Sequence, residues 1–256
     1  MGHLNVDTRM GAIGSRGSSF LGTEEVLIRI ATWNCCRSSV AKTAEAVTAL
    51  NASVTVLQEA RRPAALPPGH LWVGGKPGNG IALVPGAGFE IALGPVDPEA
   101  PWSILPVRVS GRVELHLLMV WTRKEHDYVE GLDAALTTYA SFLTAAPAIV
   151  IGDFNANAIW DAPRRKTDFS RVAKRLADQF GLVSAYHAHS GEAFGSESQA
   201  TLHFMRQRTR PYHIDYCFVP MRWMQDVVNV SILDSPPWDA LSDHRPLVVD
   251  VADCAV

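Results

Sequence analysis

A mixed α/β fold is what this 256-residue sequence predicts, and three observations carry the prediction. Apolar runs of strand length recur along the chain and end in polar residues. Stretches with helical spacing lie between some of these runs, and Gly and Pro punctuate others as hairpin turns do.

Taken in order, residues 1–24 (MGHLNVDTRMGAIGSRGSSFLGTE) are rich in Gly, Ser and Thr and have no sustained period, which predicts a flexible tail. Residues 25–256 are expected to form one domain, because no repeat or linker divides them. VLIRIATWN reads as a strand ending at Asn34. SSVAKTAEAVTALNA then carries Val40, Ala44, Val47 and Leu50 at helical spacing behind candidate capping serines. VTVLQE is a short buried strand that runs out at Glu59. GIALV, FEIAL, SILPVRV and VELHLLMVW follow as antiparallel strands between turns, and a helix is expected over about 127–144. The strand AIVIGD comes next. DFSRVAKRLADQF is a helix with Asp168 as its cap and Gly181 as its stop. Further strands are expected at about 200–206 and in YHIDYCFV, VVNVSIL and RPLVVDV.

A hydrophobic fraction of 47% is that of a globular chain with a substantial core. A formal charge of -3 gives no general attraction to polyanions, so nucleic-acid contact would depend on a local patch. The cysteines, Cys35, Cys36, Cys217 and Cys254, form neither a disulfide framework nor a zinc spacing. They fit a reducing, cytoplasmic setting. No apolar run reaches the ~18–20 residues that a membrane span needs, and no obligate protein partner is evident.

The chemistry lies at the strand ends. Asn34, Glu59, Asp153 with Asn155, Asp215 and Asp243 with His244 each follow or begin an apolar run, so a sheet-based core can bring them to one rim. Carboxylate and amide oxygens suit a hard cation, magnesium or manganese, better than zinc. A His beside an Asp, with a second Asp to orient it, is an acid/base arrangement, and Asn side chains can donate to phosphoryl oxygens. As a set these groups describe metal-assisted hydrolysis of a phosphate ester.

RIATWN, VLQE, IGDFNAN, HIDY and SDHRP occur in the order of the motifs of the endonuclease/exonuclease/phosphatase superfamily, which the chain resembles over about residues 26–252. The resemblance implies a four-layer α/β/β/α sandwich of two packed mixed β-sheets flanked by helices, with the site at one end. It implies a divalent-metal-dependent phosphodiesterase, expected to be a nuclease acting on DNA or RNA by in-line attack of water. Other readings are a phosphomonoesterase or phospholipid-headgroup hydrolase of the same fold, or a binding module that has lost catalysis. Glu59 resembles the principal metal ligand and Asp243 a second. Asp153 looks like the group that positions or deprotonates the water, Asn155 a phosphoryl donor, and Asn34 a residue that holds the metal and phosphate region together. His244 with Asp215 resembles the family's phosphate-contacting His-Asp pair; both Asp153 and His244 are candidate bases.

Two positions depart from the pattern. Trp121 stands where many members place a His or Tyr contact to substrate, and an indole donates one hydrogen bond but no proton. His116, five residues upstream, is a poor substitute. Cys36 stands where some nucleases carry an acid.

Each residue also has a purely structural reading: Asn34 as a helix cap, Asp153 with Asn155 as an Asx-turn, His213 as a satisfied core histidine. Arg206 and Arg208, with Arg210 in the hairpin before HIDY, are expected to approach the substrate. PRRK (163–166), Arg171, Lys174 and Arg175 read either as a phosphate-tracking face or as a solvated one. Trp160 either stacks on a ligand or packs on the next helix.

Overall fold

The computed structural model of the chain describes residues 27–75, 79–163 and 166–252; the expected tail lies outside them. The first elements are β1 (Leu27–Asn34), α1 (Val40–Leu50), β2 (Val54–Arg61), β3 (Leu71–Gly74), β4 (Asn79–Pro85), β5 (Phe89–Leu93), β6 (Ile104–Gly111) and β7 (Leu115–Trp121). Next come α2 (Tyr128–Thr138), α3 (Ala140–Thr144), β8 (Ala148–Asp153), α4 (Phe169–Phe180), β9 (Leu182–Ser184) and α5 (Ala185–Ser190). The chain closes with β10 (Leu202–His203), β11 (Pro211–Tyr212), β12 (Asp215–Pro220), β13 (Val227–Ile232), α6 (Trp238–Leu241) and β14 (Leu247–Ala252).

Two six-stranded sheets form, in the orders β13-β14-β1-β2-β4-β3 and β5-β6-β7-β8-β12-β9. Each is mixed, with one parallel pair, β1 with β2 and β7 with β8. Apolar residues of both sheets, among them Ile28, Ile30, Val54 and Val56 from the first and Leu117, Met119, Ile149 and Ile151 from the second, fill the space between them. Outside the first sheet, Ala46 and Leu50 of α1 pack on Ala31, Trp33 and Leu57. Outside the second, α2, α3 and α4 cover Leu118, Val120, Val150 and Phe218. This is the four-layer sandwich expected.

Local chemistry accounts for the helix limits. The Ser39 hydroxyl accepts from the Lys42 N–H and starts α1, so Asn34 is not that helix's cap. Asp168 accepts from Arg171 N–H to start α4, and Gly181 ends it in the left-handed region, φ +66°. The helix expected over 127–144 is two helices, because Tyr139 leaves helical geometry at φ -97°, ψ 16°. The strand expected at about 200–206 shortens to Leu202–His203, since Met205 and Arg206 turn the backbone at positive φ. Short β3, α5 and α6 had no distinct sequence signal. Among the described residues, no helix is long and apolar enough to cross a membrane.

Candidate active site

Strand alternation explains why the polar residues meet. Ile28 and Ile30 of β1 face the other sheet, so Thr32 and Asn34 continue that row; Val54 and Val56 of β2 lead likewise to Gln58. On β8, Ile149 and Ile151 lead to Asp153, and on β12, running the opposite way, Val219 and Cys217 lead to Asp215. All four rows turn from apolar to polar at the same end of the sandwich. The β8–β12 register sets Asp215 directly opposite Asp153.

Glu59 breaks the alternation. It follows Leu57, which faces α1, and a regular strand would point it the same way. A bulge between Leu57 and Ala60 puts Glu59 at φ +51°, and bulges re-aim side chains in this manner. Its Oε1 therefore lies 3.5 Å from Asn34 Nδ2.

Asn34 is the hub. Its Nδ2 donates to Asp153 Oδ2 at 2.9 Å, and its Oδ1 accepts from the Cys36 N–H at 3.0 Å. Asp153 Oδ1 in turn accepts from the Asn155 N–H at 3.0 Å, an Asx-turn that holds Asn155 at φ +46° beside the carboxylate. The structural reading of GDFN and the functional one thus describe the same bonds. His244 Nδ1 pairs with Asp215 Oδ2 at 2.9 Å, leaving Nε2 as the ring nitrogen for a ligand. Ligand atoms of Asp153, Asp215 and His244 all lie within 4.8 Å of one another, and all three residues are buried.

Burial raises the Asp153 carboxyl to about 7, and the Asp215 charge adds to the rise against His244, Asn34 and the Asn155 N–H. For His244 burial works downward, but the Asp215 charge and hydrogen bond outweigh it and hold the imidazole protonated to about 10. Burial also pushes the Cys36 thiol up, and the negative charges of Asp243 and Glu59 push it further. Both expected metal ligands therefore lie close to the same side chain.

The residues present fit a hard cation. Asp215 Oδ1 is buried without a hydrogen-bond partner among the described residues, a costly state that a cation relieves. The carboxylates of Asp153 and Asp215 in the cluster, with Glu59 and Asp243 near it, are oxygen donors that could hold such an ion.

The other expected contacts sit elsewhere. Trp121 is a core residue, 5% exposed, edge-on to Trp102 at 5.8 Å with the Arg123 guanidinium over its ring; this placement corrects its expected role as a substrate contact. The Arg206 guanidinium donates to the carbonyls of Asp239, Ala240 and Leu241, and Arg208 pairs with Asp234 at 2.9 Å. Both clamp the hairpin to the segment that leads into Ser242–Asp243–His244. His116 bonds the Phe142 carbonyl and stacks on that ring, and His213 bonds the Gln199 carbonyl. Arg171, Lys174 and Arg175 are ion-paired to Asp168, Asp178 and Asp133, as a solvated face would be. Arg164 and Arg165 of PRRK lie outside the described residues.

Sequence reasoning missed two hydroxyls. Ser242 Oγ donates to the Asn34 carbonyl at 2.7 Å and accepts from the His244 N–H at 3.0 Å, tying two motifs together. Thr201 Oγ1 accepts from the N–H groups of Ile214 and Asp215. The Ser-x-His spacing of SDH is an ST-turn signal that could have found the first.

A family model described as the Endonuclease/Exonuclease/phosphatase family matches residues 31–244. The chain belongs to this family. Its family is thus one of phosphate-ester hydrolases. A 3'-5' exonuclease (NExo) from Neisseria meningitidis superposes with a TM-score of 0.66 at 21% identity, covering 88% of this chain and 100% of that one. AP endonucleases from Archaeoglobus fulgidus (TM-score 0.60, 16% identity, 87% and 98% covered) and Leishmania major (0.64, 15%, 88% of each) share the fold. A comparison with curated protein sequences gave no significant match.

Proposed function

We propose that the protein is a magnesium- or manganese-dependent phosphodiesterase acting on nucleic acid. The observation that carries this reading is the convergence of Asn34, Glu59, Asp153, Asp215 and His244 from five chain segments on one end of the inter-sheet core, linked by bonds of 2.9 to 3.5 Å. The fold neighbours include an AP endonuclease and a 3' phosphatase from Neisseria bound to a product DNA hairpin, which favours nucleic acid over a lipid headgroup.

Glu59 and Asp243 would hold the cation. When bound it supplies positive charge at the phosphoryl and leaving oxygens and lowers the barrier to in-line attack. The chain's own groups divide the remaining work. Asp153, with a carboxyl raised to about 7, is suited to take a proton from the attacking water near neutral pH. His244, kept cationic by Asp215, is the donor rather than the base: its Nε2–H faces negative charge growing on the phosphoryl oxygens. Asn155 adds a neutral donor, and Asn34 fixes the spacing of Asp153 and Glu59. In this assignment the water oxygen bonds to phosphorus, one of its protons goes to Asp153, and the P–O ester bond breaks with its electron pair on the leaving oxygen, which takes a proton from solvent water.

The test is hydrolysis of chromogenic phosphodiester and phosphomonoester substrates and nicking of plasmid DNA, each with magnesium, manganese or chelator. Diester cleavage with either metal and none in chelator is expected. Equal rates in chelator, or cleavage of the monoester alone, would overturn the reading.

A further inference from the structure

Helices cover the two sheets unequally. Among the described residues, α2, α3 and α4 lie over the second sheet, whereas α1 and the short α6 lie over the first. Trp238 of α6 packs edge-on to Trp33 of β1, so the β4–β3 side is left open. A groove of about 350 Å³ lies there between α1 and the segment 62–70, floored by Leu57, Ala60, Trp72, Ala82 and Val84. α1 carries more apolar surface than the sheet takes up. Ala46 and Leu50 turn to the sheet, while Val40, Ala44 and Val47 flank the groove at helical spacing. Pro63, Leu66 and Pro67 form the facing wall. Val40 is 41% and Leu66 45% exposed, so both lips are open hydrocarbon.

The charge at the rim has one sign. No Asp or Glu among the described residues lines the groove. Arg61 lines it, with its Nε donated to the Arg37 carbonyl, and Arg62 lies over the Trp72 ring at 5.5 Å. Neither is ion-paired to a described acid, unlike Arg171, Lys174 and Arg175 on α4. Burial lowers the pKa of His70 at the same rim, which keeps that ring neutral and leaves the two guanidiniums as the groups that meet an anion.

We propose that this groove binds a single-chain amphiphile of the fatty-acid class, its alkyl chain laid along Leu57, Val84 and Trp72 and its carboxylate against Arg61 and Arg62. Size, lining and charge agree on this occupant. The volume lies within the ~300–1,000 Å³ range of small-molecule sites. A ten-residue peptide helix, ~10 Å across and ~15 Å long, is about three times too large for it. A neutral ligand would leave both arginines without a counter-charge, and a polyanion would gain nothing from the hydrocarbon floor. Leu57 and Ala60 stand on either side of the bulge that sends Glu59 toward the other sheet. Groove and active site therefore lie back to back on β2, and the amphiphile is not the phosphate-ester substrate.

The experiment is isothermal titration of the intact protein with decanoate below its micelle concentration, against hexanoate and decanol. One equivalent of decanoate is expected to bind. Hexanoate should bind at least tenfold more weakly, because each buried methylene is worth about fourfold, and decanol about fivefold more weakly for want of the charge. Ala44→Trp, at an exposed position of α1, should fill the groove and abolish binding, and Leu66→Ser should weaken it from the opposite wall. Arg61→Gln combined with Arg62→Gln should bring decanoate down to the affinity of decanol. No saturable binding to wild type, equal affinity for decanoate and decanol, or undiminished binding in both Ala44→Trp and Leu66→Ser would overturn the proposal. Neither metal nor phosphate ester enters the titration, so its result stands whatever the hydrolysis assays give.

Discussion

Replacing Asp153 by Asn should remove from the metal-free protein a loss of stability that grows as pH rises, while abolishing its activity. Asp153 lies buried with its carboxyl raised from 3.8 to about 7. A raised carboxyl means that, between those two values, the folded chain binds a proton that the unfolded chain has released, so stability falls as pH climbs through the window. At ~1.4 kcal/mol per pKa unit the full loss by neutral pH approaches ~4 kcal/mol. The variant has its own cost. Asn keeps one acceptor for two donors, the Asn34 amide and the Asn155 N–H, and a stranded buried donor costs ~1–3 kcal/mol. That cost does not depend on pH, because neither donor titrates. The slope therefore isolates the ionisation. From about pH 4.5 to about pH 6 the wild type should lose ~2 kcal/mol relative to the variant, which for a domain of this size is ~4–8 °C in Tm. Thermal melts of both proteins in chelator, across that range, measure it; carboxylates remote from the site cancel in the difference. A Tm difference that stays flat or shrinks as pH rises would refute the burial argument for Asp153.

Other perturbations test the remaining parts. Glu59→Gln should leave the melt nearly unchanged, because Glu59 is only partly buried, but lower turnover by about a hundredfold and raise the magnesium concentration needed for half-maximal rate; unchanged metal dependence would remove Glu59 from the ligand set. His244, protonated in the fold to about 10, contributes stability that is full below its ordinary value of 6.5 and fades as pH rises through 10, so wild type should lose more Tm than His244→Asn between about pH 8 and pH 10.5. A parallel decline in both would deny the Asp215–His244 ion pair. Gly152→Ala should fail to fold or lose more than ~3 kcal/mol, since a Cβ there would sit 1.8 Å from the Val120 carbonyl oxygen at φ +146°; a melt within a few degrees of wild type would contradict the β7–β8 geometry.

The parts of the molecule legible in the sequence are those that obey a period. Ile28, Ile30, Ile149 and Ile151 alternate, and the polar residues at which these rows end, Asn34, Asp153 and Asp215, are the ones the structure brings together. Glu59 was legible as a residue but not as a position, because its direction depends on a bulge that places a non-glycine residue at φ +51°, and no periodic signal reports that. Trp121 misled for the opposite reason. Its place at a strand end suggested the rim, yet it continues the row of Leu117 and Met119 and stays in the core. Arg206 and Arg208 were placed in the correct hairpin, but charge alone does not distinguish an arginine for substrate from one spent on the carbonyls of α6 or on Asp234.

The same rows explain how a buried carboxylate is tolerated at all. Beneath Asn34 and Asp153 the inter-sheet space does not pass at once to hydrocarbon: Thr32 and Gln58, both fully buried, bond each other at 3.0 Å. On β1 and β2, Ile30 and Val56 begin only below that neutral layer. Gly152 leaves room for it, since a Cβ there would lie 3.0 Å from Gln58 Nε2. A charge set directly on alkyl groups is penalised far more heavily than one set on oriented amide and hydroxyl dipoles. What keeps burial from lifting Asp153 beyond the neutral range, where a base is useful, is the His244 charge with the Asn34 amide and the Asn155 N–H. The site and the core are joined by this layer, and the absence of side chain at Gly152 serves both.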